Sequence, residues 1–136
     1  MFILEVAQYL DEKGIGDYEP SDTTGSIFIN KIPPEPTNLI SLWTSGGDGA
    51  DVKLGYDFPK MQVITRGDDV VDAYEKAKDI YNELHGLSSS LLGDFWVVSC
   101  IGIQSDPSYI GEDKNGLHEY SINFVFDVRN ISIHRE

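Results

Sequence analysis

The sequence predicts an α+β fold, a largely antiparallel or mixed sheet with two amphipathic helices packed on one face. Two stretches have apolar residues at helical spacing, and five others have strand-like patterns, in the order α-β-β-β-α-β-β. The length of 136 residues is typical of one domain, so we expect a single domain over residues 1–136.

Each predicted helix carries one apolar stripe. The first runs from Met1 to about Lys13, with apolar residues recurring every three or four positions. The second begins after a cap at Asp68 or Asp69 and continues to about His85, and an Asp side chain at this position accepts hydrogen bonds from the first free N–H groups. Both stripes are expected to cover the same dry face of the sheet.

The predicted strands are Ser26–Ile32, Asn38–Thr44, Lys60–Arg66, Phe95–Gln104 and Leu117–Val128. The last has the clearest pattern, because apolar Ile122 and Phe124 alternate with polar Ser121 and Asn123. The Asn115-Gly116 pair just before it is typical of a hairpin turn. We therefore expect an antiparallel strand with one buried apolar face and one polar face.

Two further stretches are interpreted as connections. Ser45–Pro59 contains four glycines and three aspartates, and it is long for a loop inside a compact domain. Loops of that length are usually functional or ordered by a partner. Ser88–Ser90 follows a helix end and is interpreted as a linker.

The composition narrows the classes of function. The net charge is −13, and such a surface repels phosphate, which disfavours generic nucleic-acid binding. Cys100 is the lone cysteine and lies in an apolar run, which indicates a buried small hydrophobe. The first residues lack a basic segment and no apolar run is long enough to cross a bilayer, so we expect a cytosolic folding environment and no membrane partner.

No group of residues has the spacing of a reactive site. The three histidines pair with no Cys, acid or second His at metal-ligand spacing. Asp113–Gly116 begins like a calcium loop but lacks the glycine at its sixth position, so a β-turn explains it better. We therefore expect no cofactor, no metal site and no enzyme activity.

Three segments together resemble the bacteriophage minor capsid and tail terminator family of small head–tail joining proteins. They are PPEPTNLISLWTSGG, DFPKMQVITRGDDVVDAYEKAKDIYNELHG and GEDKNGLHEYSINFVFDV. Matching positions include Pro33, Pro36, Asn38, Gly46, Gly47, Pro59, Gln62, Val63, Arg66, Gly67, Ala73, Ala77, Leu84, Gly86, Gly111, Asp113, Asn115, Gly116, Asn123 and Phe124. The order and spacing of these positions carry the resemblance.

The resemblance implies a structural virion protein. Proteins of this kind form a ring, typically a hexamer, that ends polymerisation of the tail tube and joins the tail to the head. The implied partners are further copies of the chain, the tail tube protein and the head connector, while DNA passes through without specific binding. The implied locations are the virion and, during assembly, the cytoplasm of the host bacterium.

A ring needs contacts between subunits, and we expect them in the loops Gly46–Phe58 and Asp106–His118. Arg66 fits either an interface or a strand-end ion pair with Asp68, and Trp43 fits either an interface or the core. The predicted interface residues are Trp43, Asp48, Asp51, Tyr56, Arg66, Tyr109, Asp113 and His118. The alternatives are a small non-catalytic adaptor or regulatory binding module and, less favoured by the sequence, a small hydrolase or metal-dependent enzyme.

Overall fold

A computed structural model describes residues 1–21 and 24–135. Within these residues the chain has two helices and seven strands, which we number in chain order. They are α1 (Phe2–Glu12), β1 (Ile27–Ile29), β2 (Leu39–Asp48), β3 (Tyr56–Gly67), α2 (Val70–Leu84), β4 (Ser88–Leu92), β5 (Phe95–Gly102), β6 (Ser108–Glu112) and β7 (His118–Arg129). In this part of the chain no helix is long and apolar enough to cross a membrane.

The strands of the described residues form one mixed sheet in the order β1-β2-β3-β7-β5-β4, and β6 also pairs with β7. The β1–β2 pairing is parallel and the other pairings are antiparallel. β7 is the central strand, because β3 follows it along one side while β5 and β6 share the other side. The predicted α+β class and the order of its main elements are confirmed.

Both helices pack on one face of this sheet and build the core with it. The apolar stripe of α1 buries Val6 and Leu10, and that of α2 buries Ile80 and Leu84. Against them lie the inward-facing residues of the strands, which include Leu42, Val63, Ile122, Phe124 and Phe126. A buried aliphatic or aromatic side chain contributes about 1.5–3 kcal/mol, so this face dominates the stability of the fold.

The ends of α2 follow the prediction. The Asp69 carboxylate caps the helix by accepting a hydrogen bond from the Val71 N–H at 2.8 Å. The helix ends at Leu84, and the His85 N–H still bonds the Tyr81 carbonyl at 2.8 Å. This cap fixes the start of α2 directly after the end of β3.

The sheet extends into segments that we predicted to be connections. β2 continues to Asp48 and β3 begins at Tyr56, so the predicted loop Ser45–Pro59 is largely a hairpin with a bulge between Thr44 and Gly47. Ser88–Ser90 belongs to β4, and the segment between β5 and β7 contains β6. Glycine and serine lower strand propensity, but edge strands and bulges tolerate them because one side of the backbone is free.

Gln104 joins β5 to β6 along the edge of β7. Its side-chain oxygen accepts a hydrogen bond from the Asn123 N–H at 2.8 Å, and its Nε2 donates to the Ser121 carbonyl at 3.2 Å. The side-chain amide thus supplies hydrogen bonds to the β7 backbone in the gap between β5 and β6. This places β6, with Tyr109, beside the start of β7.

Candidate subunit interface

The structure divides the predicted interface residues between the two ends of the sheet. Asp48, Asp51 and Tyr56 lie at the β2–β3 hairpin, where β7 ends. The others, except Trp43, lie where β3 ends and β7 begins; they are Arg66, Tyr109, Asp113 and His118. The ends are separated by the length of β7, which is about 35 Å for twelve residues.

At the hairpin end, the C-terminal turn is fastened to the start of β3. The Arg135 Nη1 lies 2.7 Å from Asp57 Oδ1, and its Nη2 donates to the Tyr56 carbonyl at 2.7 Å. Asn130 Nδ2 donates to the other oxygen of Asp57 at 2.6 Å. The Arg129 Nη1 donates to the Tyr56 hydroxyl at 3.0 Å. Tyr56 is therefore tied to both β7 and the turn.

Two carboxylates at this end have pKa values shifted in opposite directions. Burial opposes ionisation of Asp57, yet the hydrogen bonds from Asn130 and Arg135 hold its pKa below the usual range. Burial, together with the charge of Asp51, raises the pKa of Asp127. Asp48 is exposed and lies 3.3 Å from the Lys60 ammonium, a surface pair that contributes little stability.

At the opposite end, Arg66 is almost fully buried and holds the proline-rich segment before β2. Its Nη2 donates to the carbonyls of Pro34 at 3.1 Å and Pro36 at 2.6 Å, and its Nε donates to the Thr37 carbonyl at 3.2 Å. Its ion-pair partner is Asp113, 4.0 Å away, and not the Asp68 proposed from the sequence. The planar guanidinium suits this task because it presents several donors at once.

Asp113 organises the turn between β6 and β7. Its Oδ1 accepts hydrogen bonds from the N–H groups of Asn115 at 2.8 Å and Leu117 at 3.0 Å. Gly116 has a φ of +77°, which favours glycine, and its N–H closes the turn on the Asp113 carbonyl at 3.0 Å. The turn predicted from Asn115-Gly116 is confirmed. These backbone bonds, chiefly that from Leu117, hold the pKa of Asp113 below its usual value.

Beside this turn, Tyr109 belongs to an aromatic cluster between α2, β6 and β7. Its hydroxyl lies 2.9 Å from His118 Nδ1, and its ring lies 5.2 Å from that of Tyr120. Tyr120 also contacts Tyr74 of α2 edge-on at 5.7 Å. Burial and the charge of Glu112 raise the pKa of Tyr109, so its hydroxyl stays protonated over the physiological range.

Trp43 belongs to neither end. It lies on β2 opposite Gln62, on the sheet face without helices, and it is half-buried. Its indole nitrogen is buried and has no hydrogen-bond partner among the described residues. The structure brings no other predicted interface residue next to Trp43.

The contacts that shape both ends involve residues that sequence reasoning passed over. Arg135 and Asn130 are distant in sequence from Asp57, which they bind. Tyr74 is likewise distant in sequence from Asp106, and its hydroxyl donates a hydrogen bond to the Asp106 carboxylate at 2.6 Å. No local pattern marks such partners, because the packing of helix α2 and of the segments outside the strands brings them together. The apolar alternation of the last predicted strand extends back to Tyr120, and it is the one sequence signal for any of these residues.

The described residues contain no group of three His, Cys, Asp or Glu side chains arranged to hold a metal ion. Cys100 lies in the core, as predicted, and burial raises the pKa of its thiol to about 12. A thiol with that pKa is almost entirely protonated at neutral pH and is a poor nucleophile.

Comparisons with known proteins agree with the resemblance found in the sequence. A family model described as bacteriophage tail terminator protein matches residues 9–130. A solved structure titled "Virion of native gene transfer agent (GTA) particle" contains a chain with the same fold. That chain is 16% identical, with a TM-score of 0.60 over 76% of this chain and 78% of the other. No curated protein matches.

Proposed function

Because this chain belongs to the bacteriophage tail terminator family and is thus a structural, tail-related virion protein, we propose that it assembles into a closed ring, most simply a hexamer, at the head-proximal end of the tail. The ring ends polymerisation of the tail tube and offers a surface to the head connector. The family match over residues 9–130 is the observation that carries this proposal.

The two dissimilar ends of the sheet support a ring. A contact between two different surfaces is heterologous, and it generates a closed ring when the rotation between subunits closes. The hairpin end carries the network around Asp57, whereas the opposite end carries Arg66 and the Asp113 turn. Each copy therefore has two distinct surfaces to offer its neighbours.

The outer side of α2 supports passage of DNA without binding. Asp72, Glu75 and Asp79 are exposed along one stripe of the helix. The lysines of α2 do not cover this stripe: Lys76 Nζ donates to the Ile15 carbonyl at 2.8 Å and Lys78 Nζ to the Ser105 carbonyl at 3.1 Å. An acidic surface withholds the cationic contacts that phosphates need, so this stripe is our candidate lining of the channel.

The ring proposal is tested by adding the purified protein to tail tubes and imaging the mixture by negative-stain microscopy. We expect rings at one end of each tube, and native mass spectrometry of the concentrated protein to show one closed oligomer. In the virus, loss of the protein is expected to give tails of uncontrolled length without heads.

Two outcomes would overturn the proposal. One is a protein that stays monomeric at high concentration and beside tubes; selective capture of one non-virion protein in that state would support the adaptor alternative. The other is a virus that lacks the protein and still makes tails of normal length joined to heads.

A further inference from the structure

Four aliphatic side chains of the described residues stand in solvent at the hairpin end of the sheet. They are Val52, Leu54, Ile131 and Ile133, with exposed fractions of 79%, 64%, 56% and 94%. Two come from the β2–β3 loop and two from the C-terminal turn, and the Asn130 N–H joins these segments by donating to the Gly55 carbonyl at 2.7 Å. We call these four residues the tip patch.

The polar network beneath the tip patch holds it in place. Arg135 and Asn130 bind both oxygens of Asp57, and Arg135 also binds the Tyr56 carbonyl. Ordering a residue costs about 1–2 kcal/mol of backbone entropy, yet the aliphatic side chains of this ordered segment bury little within their own chain. A preorganised apolar surface is typical of a binding site, because the ordering is complete before the partner arrives.

The charges at the two ends indicate what covers the patch. Residues 48–60 and 127–135 contain four acids and four Lys or Arg residues, so the hairpin end is balanced. Residues 66–72 and 106–119 contain seven acids and two Lys or Arg residues, and we call this the acidic end. Two acidic ends repel each other, whereas the hairpin end presents Lys53 and Arg129 beside its patch and tolerates an acidic neighbour.

The acidic end also offers apolar surface. Tyr109 and Ile110 of β6 are about half exposed, and Val71 at the start of α2 is exposed to a similar extent. An apolar centre with charges around it is the usual arrangement of a protein interface. Both ends of one copy thus offer apolar surface, and the balanced charge of the hairpin end does not repel the acidic end. The two ends cannot meet within one chain because β7 separates them.

We propose that the tip patch of one copy docks on the acidic end of the next copy, against Tyr109 and Ile110, and that this contact repeats around the ring. The occupant of the tip patch is a second copy of this chain. The inference rests on the proposed function, because it names the contact that closes the ring.

Cross-linking tests which ends meet. We use two single variants, Leu54→Cys at the tip and Ile110→Cys at the acidic end, with a short bismaleimide as the probe. Wild type is the control, since the buried Cys100 thiol is expected to stay unreactive. We expect a covalent dimer when the two variants are mixed under ring-forming conditions, little product from either alone, and a ladder ending in the full ring from the double variant.

Substitution tests whether the patch drives assembly. Leu54→Ser with Ile133→Ser removes apolar surface at the tip, and we expect the concentration at which rings form to rise about tenfold or more. Ile101→Ser is the matched control: Ile101 is exposed on β5, away from both ends, and its loss is expected to leave ring formation unchanged. Melting temperatures of all monomers should agree within a few degrees, because these side chains are exposed.

The outcomes separate this inference from the proposed function. Rings that form normally from the tip variant, or that give no 54–110 cross-link, would refute the contact and leave the ring intact. Leu54→Cys cross-linking to itself would indicate a two-fold tip-to-tip pair. Patch variants that form rings but no longer cap tubes would assign the tip patch to the tube protein. Absence of rings from wild type under every condition would overturn both proposals.

Discussion

Replacement of Arg66 is expected to destabilise the fold more than replacement of any exposed cation at the same end. In the Arg66→Met variant a side chain of similar length occupies the site but donates no hydrogen bond to the carbonyls of Pro34, Pro36 and Thr37. The segment before β2 then loses its link to the end of β3, and Asp113 loses its neighbouring cation.

The size of the effect follows from these contacts. A hydrogen bond with a charged partner contributes about 1.5–3 kcal/mol, and desolvation of the buried guanidinium offsets part of the sum. We expect a loss of about 3–4 kcal/mol in the free energy of unfolding, which corresponds to a melting temperature lower by about 10–15 °C for a chain of this size. Urea unfolding followed by far-ultraviolet circular dichroism measures it.

Two further variants make the reasoning refutable. Arg66→Lys keeps the charge, but a single ammonium cannot span the carbonyls, so we expect about half of the loss. Lys114→Met removes an exposed cation from the same end and is expected to change stability by less than about 0.5 kcal/mol. If Arg66→Met loses no more than Lys114→Met, then Arg66 does not fasten the proline-rich segment, and an interface role becomes its main explanation.

Two other variants test the hairpin end. Gly47→Ala should lower stability by several kcal/mol, because the new Cβ would clash with the Phe58 carbonyl oxygen. Gly46→Ala has open space around its Cβ and should cost only the strain of its positive φ, about 1–2 kcal/mol. Similar thermal shifts for the two variants would contradict the bulge geometry. Asp57→Asn should lose about 1 kcal/mol at neutral pH. The pKa of Asp57 is lower in the folded state, so the stabilisation from its carboxylate is complete above the unfolded value of about 3.9 and is lost as the pH falls through the folded pKa. Wild type and Asp57→Asn should therefore melt alike in strong acid. A difference in melting temperature that persists there would show that the stabilisation does not come from the ionised carboxylate.

The tip patch and the Arg66 site show two ways in which the chain uses polar contacts. Arg66 is enclosed and binds carbonyls of its own chain, so its effect is on folding. Arg135 also binds its own chain, but the turn that it orders carries exposed isoleucines, so its effect extends to whatever covers them. Stability measurements address the first site, and assembly measurements address the second.

The extent of the sheet was harder to predict than its existence. The stretch Ser45–Pro59 is rich in glycine and aspartate, which predicted a loop, yet β2 reaches Asp48 and β3 begins at Tyr56. Pairing explains the difference: Gly47 faces Pro59 and Asp48 faces Phe58, so the register set by the apolar part of each strand carries the polar part with it. Local propensity is weak where a long-range ladder already exists.

Long-range contacts also separate the parts of the candidate interface that the sequence predicted from those that it did not. The sequence pointed to the loops around Asp51 and Asp113 because turn residues and acids cluster there. It gave no sign that Arg135 would bind Asp57, or that Arg66 would turn away from Asp68 towards carbonyls before β2. Those contacts join residues 30 to 78 positions apart, and a single sequence does not show which distant residues are neighbours in the fold.

The sequence by itself determined the periodicities, and hence the two helices, the main strands, the dry face and the α+β class, because apolar spacing of 3.6 or 2 residues decides which side of an element can be buried. The order and spacing of its motifs resembled one family, and the family model that matches residues 9–130 confirms it. Only the tertiary structure decided that the predicted interface residues divide between two ends, with an apolar patch at one and an acidic surface at the other. The register of β3 against β7 fixes that division, and register depends on the packing of the whole core.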